Sequence, residues 1–324
     1  MQESERQQGE PLEKLLAKPP VSRRDGVLIY VPDEDDYCDN FGQQWNQFRE
    51  MQIDSISGGT DSRDRFYAET GWKKEDLKGK LLLDAGCGAG RFTEIALEAG
   101  ARVVAIDISE AIYACKKTIS RFPPENYLLL KASLLDLPFH PGVFDGVYSL
   151  GVLQHTPDPL GGIRHLSTFV KPGGMLATWI YEDGGLYHLC KPFIPRVWLR
   201  ALGVPSLSLP AKLRIARLLT TLFFPLGWLF SWFGRTGDRL SVFLPYAARH
   251  RQGRGNLRRQ WEYSVMDTFD WYGPMYDQWQ RDPDVRRTMQ ESGLVDIRRT
   301  PARGMAIVAR RPLARQSLDP VASA

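Results

Sequence analysis

A glycine-rich turn carries the strongest chemical signal in the chain. Residues 81–92, LLLDAGCGAGRF, run from an apolar strand-like segment through three alternate glycines into the start of a helix. Glycine permits a tight turn and lets a ligand approach the backbone closely, while the helix start presents unpaired N–H groups. The segment therefore predicts a binding loop for a nucleotide-like ligand.

The glycine spacing selects among such ligands. A dinucleotide loop of the form G-x-G-x-x-G needs its third glycine one position after Gly90, where Arg91 stands instead. The next apolar run ends at Asp107, whose carboxylate can accept hydrogen bonds from both hydroxyls of a ribose. The pattern disfavours NAD and favours a nucleoside with a non-phosphate tail.

Candidate acid–base residues follow a later apolar run, in residues 149–157, SLGVLQHTP. Ligands of open parallel sheets bind beyond the carboxyl ends of the strands. Gln154 and His155 would stand where a nucleophile's proton could be removed, and histidine suits that task near neutral pH. A loop-capping or orienting role for His155 is an equally supported alternative.

The elements that must position these residues alternate in type. Short apolar runs predict strands at 81–85, 102–106, 127–131, 143–150 and 175–181, and amphipathic runs predict helices at 91–98, 110–120 and 159–170. A further helix at 283–291 and strands at 294–299 and 305–309 follow an insertion. Apolar strands separated by helices indicate a parallel sheet that is covered on both faces.

Composition limits the class of protein. With 324 residues, 43% of them hydrophobic, and a net charge of +4, the chain is neither disordered nor fibrous and can form a full core with a sizeable insertion. The four cysteines, Cys38, Cys87, Cys115 and Cys190, lack metal-ligand spacing, so neither a disulfide framework nor a metal site is predicted. No apolar signal segment opens the sequence, which predicts a cytoplasmic protein.

The motif D-x-G-x-G-x-G at 84–90, followed by an acidic strand end, resembles the class I S-adenosylmethionine-dependent methyltransferases over residues 80–181 and 282–310. The resemblance implies a Rossmann-like, seven-stranded, mostly parallel sheet and S-adenosylmethionine as cofactor. Asp84 and the loop backbone would hold its methionine part, Asp107 its ribose and Ile108 one face of its adenine. Ser133 stands where the family often has an acid for the adenine amino group. The implied cofactor-binding set is Asp84, Gly86, Cys87, Gly88, Gly90, Asp107, Ile108, Ser133, Leu134 and Gly151.

Two segments resemble a subset of these enzymes. Residues 41–45 and 267–276 look like those of bacterial methyltransferases that act on sugars or specialised metabolites and carry an N-terminal aromatic helix and an insertion that closes over the active site. Phe41, Trp45 and Phe48 recur at helical spacing. The implied substrate-pocket residues are Trp45, Trp271, Tyr272 and Tyr276, with Tyr272 also a catalytic candidate beside Gln154 and His155. Ordinary packing is an equal alternative for each aromatic residue.

The domain plan follows from these segments. We expect a tail and cover helix at 1–79, a cofactor-binding core at 80–185, an insertion at 186–265, completion of the core at 266–310 and a tail at 311–324. The insertion is basic, with a local net charge of +11, and aromatic-rich, and it should be mostly helical. A helical lid is the favoured interpretation, ahead of a membrane-surface helix at 211–235 and a dimer interface.

Partners are predicted from the same insertion. Five arginines suggest an anionic or lipid-linked substrate, although a run of charge is usually a solvated face, and nucleic acid is disfavoured because no binding module accompanies them. They are Arg249, Arg251, Arg254, Arg258 and Arg259. The location would then be cytoplasmic, with peripheral contact to the inner face of the membrane as an option.

The leading functional hypothesis is methyl transfer to a small or medium-sized metabolite, glycan or lipid-linked precursor. Two alternatives stay open. The same pocket could break the methionine chain and release methylthioadenosine, as a cyclase or aminocarboxypropyl transferase does, or the protein could bind cofactor or membrane without catalysis.

Overall fold

The computed structural model describes residues 10–31, 39–184, 190–248, 250 and 256–313. These form two compact units. The first takes residues 10–31, 52–182 and 276–313, and the second takes residues 39–51, 183–184, 190–248, 250 and 256–275. Cys38, Arg249, Arg251 and Arg254, which the sequence singled out, lie outside the described residues.

The first unit is built on a nine-stranded mixed sheet. Its order is β1-β2-β5-β4-β3-β6-β7-β9-β8. The six adjacent strands β2, β5, β4, β3, β6 and β7 run parallel to one another. The strands are β1 Ser22–Arg24, β2 Val27–Ile29, β3 Leu81–Ala85, β4 Arg102–Asp107, β5 Tyr127–Lys131, β6 Phe144–Leu150, β7 Val170–Ile180, β8 Val295–Arg299 and β9 Met305–Arg310.

Eleven α-helices occur in the described ranges. They are α1 Asp39–Gln52, α2 Asp54–Ser57, α3 Asp61–Thr70, α4 Arg91–Glu98, α5 Ala111–Ile119, α6 Pro159–Phe169, α7 Pro195–Ala201, α8 Leu209–Ser231, α9 Gly234–Leu240, α10 Leu257–Tyr272 and α11 Asp282–Glu291.

Alternating burial on the strands explains why both sheet faces are covered. All five residues of β3 are buried, and Leu83 belongs to the same apolar cluster as Ile163 of α6 and Val285 of α11, whereas its neighbour Leu82 belongs to the cluster of Ile95 of α4. Successive side chains of a strand point to opposite faces, so a strand that is apolar throughout requires helices on both sides. The predicted mixed α/β architecture with a mostly parallel sheet is confirmed.

The predicted count of seven strands is wrong, because the N-terminal residues add two. β1 and β2 form an antiparallel hairpin, and β2 pairs in parallel with β5 through Leu28 and Leu130. All three residues of β1 are exposed, and the strand is polar, so it carries no alternating apolar signal. β7 also starts earlier than predicted, at Val170, and its register with β6 shifts between the pairs Phe144–Val170 and Gly146–Met175.

The second unit is helical. α8 is one continuous helix through Pro225, and it packs along α10, where Thr220 Oγ1 donates to Thr268 Oγ1 at 3.3 Å. Asn256 caps α10 by accepting a hydrogen bond from the Arg259 N–H at 3.0 Å. The predicted division at 265/266 falls inside α10, and the compact unit continues to Met275.

Candidate functional site

The glycine-rich turn follows β3 at the centre of the parallel strands. β4 lies on one side of β3 and β6 on the other, which is the point where the order of the strands reverses and where open sheets bind ligands. The N–H groups of Gly86 and Cys87 both donate to the Ile106 carbonyl of β4, at 2.9 and 2.8 Å. The turn is therefore bound firmly to the neighbouring strand.

At two positions in the turn, both the backbone conformation and the available space favour glycine. Gly86 has φ +93° and Gly90 has φ +82°, a region that side chains disfavour. A Cβ on Gly86 would lie 2.4 Å from Val152 Cγ1, and one on Gly90 would lie 2.8 Å from Cys115 Sγ. The turn is thus bare backbone packed from behind, which fits a ligand that contacts main-chain atoms.

Asp107 is held rigidly at the end of β4. Its Oδ2 accepts from the Gly88 N–H at 2.9 Å, and its Oδ1 accepts from the N–H and hydroxyl of Ser109 at 2.9 and 2.7 Å. Burial raises the pKa of Asp107, while these hydrogen bonds and Lys131 oppose the shift. Three of about four lone-pair positions of the carboxylate are used, so Oδ2 can accept one further hydrogen bond. That capacity fits a ribose hydroxyl.

Asp84 links β3 to the helix after the turn. The side chain is buried and accepts a hydrogen bond from Thr93 Oγ1 of α4 at 2.6 Å. Burial raises the pKa of Asp84 to about 7, although the hydrogen bond from Thr93 works in the opposite direction. Near neutral pH this carboxyl is therefore close to half protonated.

The raised pKa of Asp84 predicts a pH-dependent stability. Between pH 3.8 and about 7 the folded chain retains a proton that the unfolded chain has lost, so stability falls as pH rises through this window. We expect Asp84→Asn to gain stability relative to the native chain over that range, by at most about 1.4 kcal/mol per pH unit. Denaturant unfolding of both proteins at several pH values measures the difference, and parallel pH profiles would contradict the assignment.

The segment after β6 is bound by the strap, which we define as residues 276–280. His155 Nδ1 lies 3.1 Å from the Tyr276 carbonyl oxygen, and the Gln278 N–H donates to the Gln154 carbonyl at 2.8 Å. Gln278 Nε2 also donates to the carbonyls of Thr156 and Pro157 at 3.0 and 2.8 Å. The strap thus fixes the backbone of the predicted acid–base residues.

The contact with Tyr276 determines the tautomer of His155. A carbonyl oxygen only accepts hydrogen bonds, so Nδ1 must carry the proton, and in the neutral ring the lone pair is then on Nε2. The ring packs edge-on against Tyr181, with centroids 5.6 Å apart, and Tyr181 packs against Trp279 and Trp179 at 5.2 and 5.5 Å. The His155 ring thus lies beside an aromatic cluster, with Nδ1 as its protonated nitrogen.

Gln154 is the clearest sign of a missing polar partner. Its side chain is 0% exposed, and among the described residues neither its amide nitrogen nor its amide oxygen has a hydrogen-bond partner. Its Nε2 lies 4.0 Å from the position that a Cβ on Gly151 would take. A buried amide without partners is costly, so this side chain suits a ligand with polar groups.

The remaining predicted cofactor residues follow β4, β5 and β6. Ile108 and Ser133 are half-buried, and Leu134 is buried. Ser133 Oγ accepts a hydrogen bond from the Leu135 N–H at 3.2 Å, and the nearby Asp136 is exposed and pairs with Lys18. Gly151, with φ +81°, donates its N–H to the Trp179 carbonyl. Their roles toward the adenine and methionine parts stay predictions.

The predicted substrate aromatics fall in both units. Trp45, Trp271 and Tyr272 belong to the second unit, and Tyr276 belongs to the first. Trp271 is half-buried beneath the Arg196 guanidinium, 5.1 Å from the ring centroid. Tyr272 is fully buried and its hydroxyl donates to the Pro245 carbonyl at 3.0 Å, while burial raises its pKa. These features favour packing over proton transfer for Tyr272.

Sequence reasoning missed the residues that orient the site. Thr93 and Ser109 fix the two carboxylates, and Gln278 and Trp279 bring the strap to the loop. Only Ser109 had a local signal, because a serine two residues after an aspartate commonly closes a short turn with it. Within the described part of the chain, no group of three or more His, Cys, Asp or Glu could hold a metal ion.

Known proteins resemble the same region. The family model described as a methyltransferase domain matches residues 83–178. Ubiquinone biosynthesis O-methyltransferase of Xanthomonas campestris pv. campestris (strain B100) is 37% identical over 101 residues, which are 31% of this chain and 42% of the relative. The protein of that name from Pseudomonas paraeruginosa (strain DSM 24068 / PA7) is 36% identical over 106 residues, 32% of this chain and 45% of the relative. The match thus spans less than half the length of these relatives.

A solved structure matches a larger share of the chain, but at a lower sequence identity. The 1,6-didemethyltoxoflavin-N1-methyltransferase of Burkholderia thailandensis, solved with S-adenosylhomocysteine, is 17% identical and has a TM-score of 0.43, with 90% of this chain and 94% of that chain covered. The family match coincides with the segment that holds the glycine turn, both carboxylates, Gln154 and His155. Residues 83–178 therefore match a methyltransferase domain and hold the motif that resembles the class I S-adenosylmethionine-dependent methyltransferases.

Proposed function

We propose that the whole protein is an O-methyltransferase, which transfers a methyl group from S-adenosylmethionine to a hydroxyl of a small or medium-sized metabolite, glycan or lipid-linked precursor. The observation that carries the choice of a hydroxyl acceptor is the tautomer of His155. Its protonated Nδ1 is bound to the Tyr276 carbonyl, which leaves Nε2 as the basic atom of the neutral ring.

The proposal divides the work among the chain's own residues. The turn at 86–90 and Asp107 would bind and orient the cofactor, and the buried Gln154 amide would align a polar group of the acceptor or of the cofactor. Bound S-adenosylmethionine supplies a methyl carbon that its positively charged sulfur already activates. The enzyme then has chiefly to align the reactants and exclude water.

A general base is needed only if the attacking atom must lose a proton. A hydroxyl oxygen is a weak nucleophile until its proton is removed, and His155 Nε2 would accept that proton as the new O–C bond forms. The aromatic cluster of Trp179, Tyr181 and Trp279 supports an acceptor with an apolar or ring-shaped portion beside the hydroxyl. The names of the matched relatives, which specify O-methyltransferases, support the same choice.

Calorimetric titration followed by mass spectrometry tests this function. Purified protein is titrated with S-adenosylmethionine and S-adenosylhomocysteine, and is then incubated with S-adenosylmethionine and a metabolite extract. We expect both ligands to bind, S-adenosylhomocysteine to accumulate, and a product heavier by one CH₂ group to appear with the methyl group on oxygen. Heat-denatured protein is the control.

Other outcomes would overturn the proposal in different ways. Release of methylthioadenosine would favour transfer or cyclisation of the methionine chain. Methylation on nitrogen or carbon would contradict the hydroxyl acceptor while leaving methyl transfer intact. Cofactor binding without any product from a broad extract would favour a non-catalytic protein, and no binding of either ligand would contradict the cofactor site.

A further inference from the structure

Helix α8 of the second unit exposes an unusual number of large apolar side chains. The fully buried residues of this helix are small or polar: Lys212, Ala216, Thr220 and Gly227. The opposite side of the helix, with the two residues that follow it, carries six large apolar side chains that are 40–71% exposed and that we call the apolar stripe. The apolar stripe consists of Leu218, Leu222, Leu226, Leu229, Trp232 and Phe233.

The spacing of the apolar stripe shows that it is one continuous face. Its members follow one another at intervals of four, four, three, three and one residues, which places them along the same side of a helix and its C-terminal end. Trp228 packs against Trp232 with ring centroids 5.1 Å apart. A row of exposed Leu, Trp and Phe of this length marks a surface that is covered by a partner.

The inner side of α8 is committed to protein contacts in the same unit. Lys212 Nζ donates to the Gly273 carbonyl at 3.1 Å, and Thr220 Oγ1 bonds Thr268 Oγ1. At Gly227 an added Cβ would lie 1.8 Å from Tyr246 Oη, so the helix is closely packed there. Within the described residues, α8 is the one helix long and apolar enough to cross a membrane, and only 17% of its most apolar window is buried. Because one side is bonded to protein, the geometry suits a helix that lies along a surface.

Charge indicates the nature of that surface. Residues 184–237 contain seven Lys and Arg and no Asp or Glu. Arg214 and Arg217 flank the apolar stripe at its N-terminal end, Arg235 and Arg239 follow it at the other, and all four are exposed. A second copy of the chain would bring like charges together across a symmetric interface, whereas an anionic lipid surface complements them.

We propose that α8 is a membrane-docking helix, whose apolar stripe inserts into the interface of an anionic bilayer while the flanking arginines contact lipid headgroups. Tryptophan and phenylalanine beside leucine, with basic residues at the rim, are the composition of helices that lie in the plane of a membrane. The inference rests on the second unit alone and does not depend on the proposed methyl transfer.

Vesicle flotation of the full chain tests the proposal. The probes are vesicles of phosphatidylcholine alone and of phosphatidylcholine with phosphatidylglycerol, at low and high salt. We expect the protein to float with the anionic vesicles and to be released in part by salt, because screening weakens the arginine contacts but not the apolar insertion. The double variants Trp232→Ser with Phe233→Ser, and Arg214→Glu with Arg217→Glu, should each weaken partitioning about tenfold or more.

Matched controls separate docking from general effects. Leu313→Ser changes a leucine of the first unit that is 58% exposed, and Lys117→Glu reverses an exposed charge of α5; both should float like the native chain. Thermal unfolding of the variants should be unchanged because the replaced side chains are exposed. Since Leu222→Ser removes a single member of the apolar stripe, it should give an intermediate loss of binding.

Three outcomes would overturn the proposal. If the protein floats with neither kind of vesicle, a bilayer partner is excluded. Equal flotation with neutral and anionic vesicles would contradict the role of the arginines. A dimer in light scattering that dissociates in Leu222→Ser, without vesicle binding, would assign the apolar stripe to a second copy of the chain.

Discussion

Replacing His155 with alanine is expected to lower the turnover number about 10²- to 10⁴-fold, while the affinity for S-adenosylmethionine stays unchanged. His155 follows β6, its Nδ1 is bound to the Tyr276 carbonyl, and Nε2 is the atom that would take the proton of the acceptor. The measurement is steady-state kinetics on the identified acceptor, combined with calorimetry of cofactor binding.

A pH profile distinguishes a base from a residue that only supports the loop. If His155 is the base, turnover of the native enzyme should rise with pH until the imidazole is neutral, and this limb should vanish in the variant. His140→Ala, which changes an exposed histidine of the same unit, is the matched control. A native turnover number in His155→Ala, or an unchanged pH limb, would assign His155 to loop support.

Asp107→Ala is expected to weaken binding of S-adenosylmethionine by about 1.5–3 kcal/mol, or roughly tenfold to more than a hundredfold. The substitution removes the free acceptor position on Oδ2 and also the bond that holds the Gly88 N–H in the turn. Calorimetric titration of native and variant protein measures the loss.

Two further variants separate the parts of this effect. Ser109→Ala removes one hydroxyl that orients the Asp107 carboxylate but leaves the carboxylate in place, so we expect a smaller loss. Asp136→Ala removes an exposed carboxylate on another loop and should bind as the native chain does. If the native protein and Asp107→Ala bind S-adenosylmethionine with equal affinity, the assignment of Asp107 to the ribose is contradicted.

The core of the sheet was predictable because its signals are local. The strands at 81–85 and 127–131 and the helix at 91–98 have the predicted bounds, since each is a short run with its own apolar periodicity. The hairpin of β1 and β2 was not counted among the strands. β1 is exposed and polar and is stabilised by pairing with β2, and such pairing leaves no pattern in a three-residue sequence.

The residues of the candidate site also differ in whether the sequence could predict them. Asp84, the glycines and Asp107 could be found from the sequence because they lie on consecutive strand ends. The strap could not, since Gln278 follows Gln154 by more than a hundred residues and reaches it only through the fold. The assignment of Tyr272 as catalytic came from resemblance, and the buried hydroxyl bonded to Pro245 shows how an aromatic motif can instead serve packing.

The sequence by itself determined that this chain contains a parallel sheet with a binding turn for a nucleoside-type cofactor, because glycine spacing and apolar periodicity are properties of neighbouring residues. Only the tertiary structure decided the tautomer of His155, the lack of a partner for the Gln154 amide among the described residues, and the outward direction of the apolar stripe. Each of these depends on which distant segment packs against a residue. Local patterns specify what an element is, and long-range packing specifies which of its atoms remain available for chemistry or for a partner.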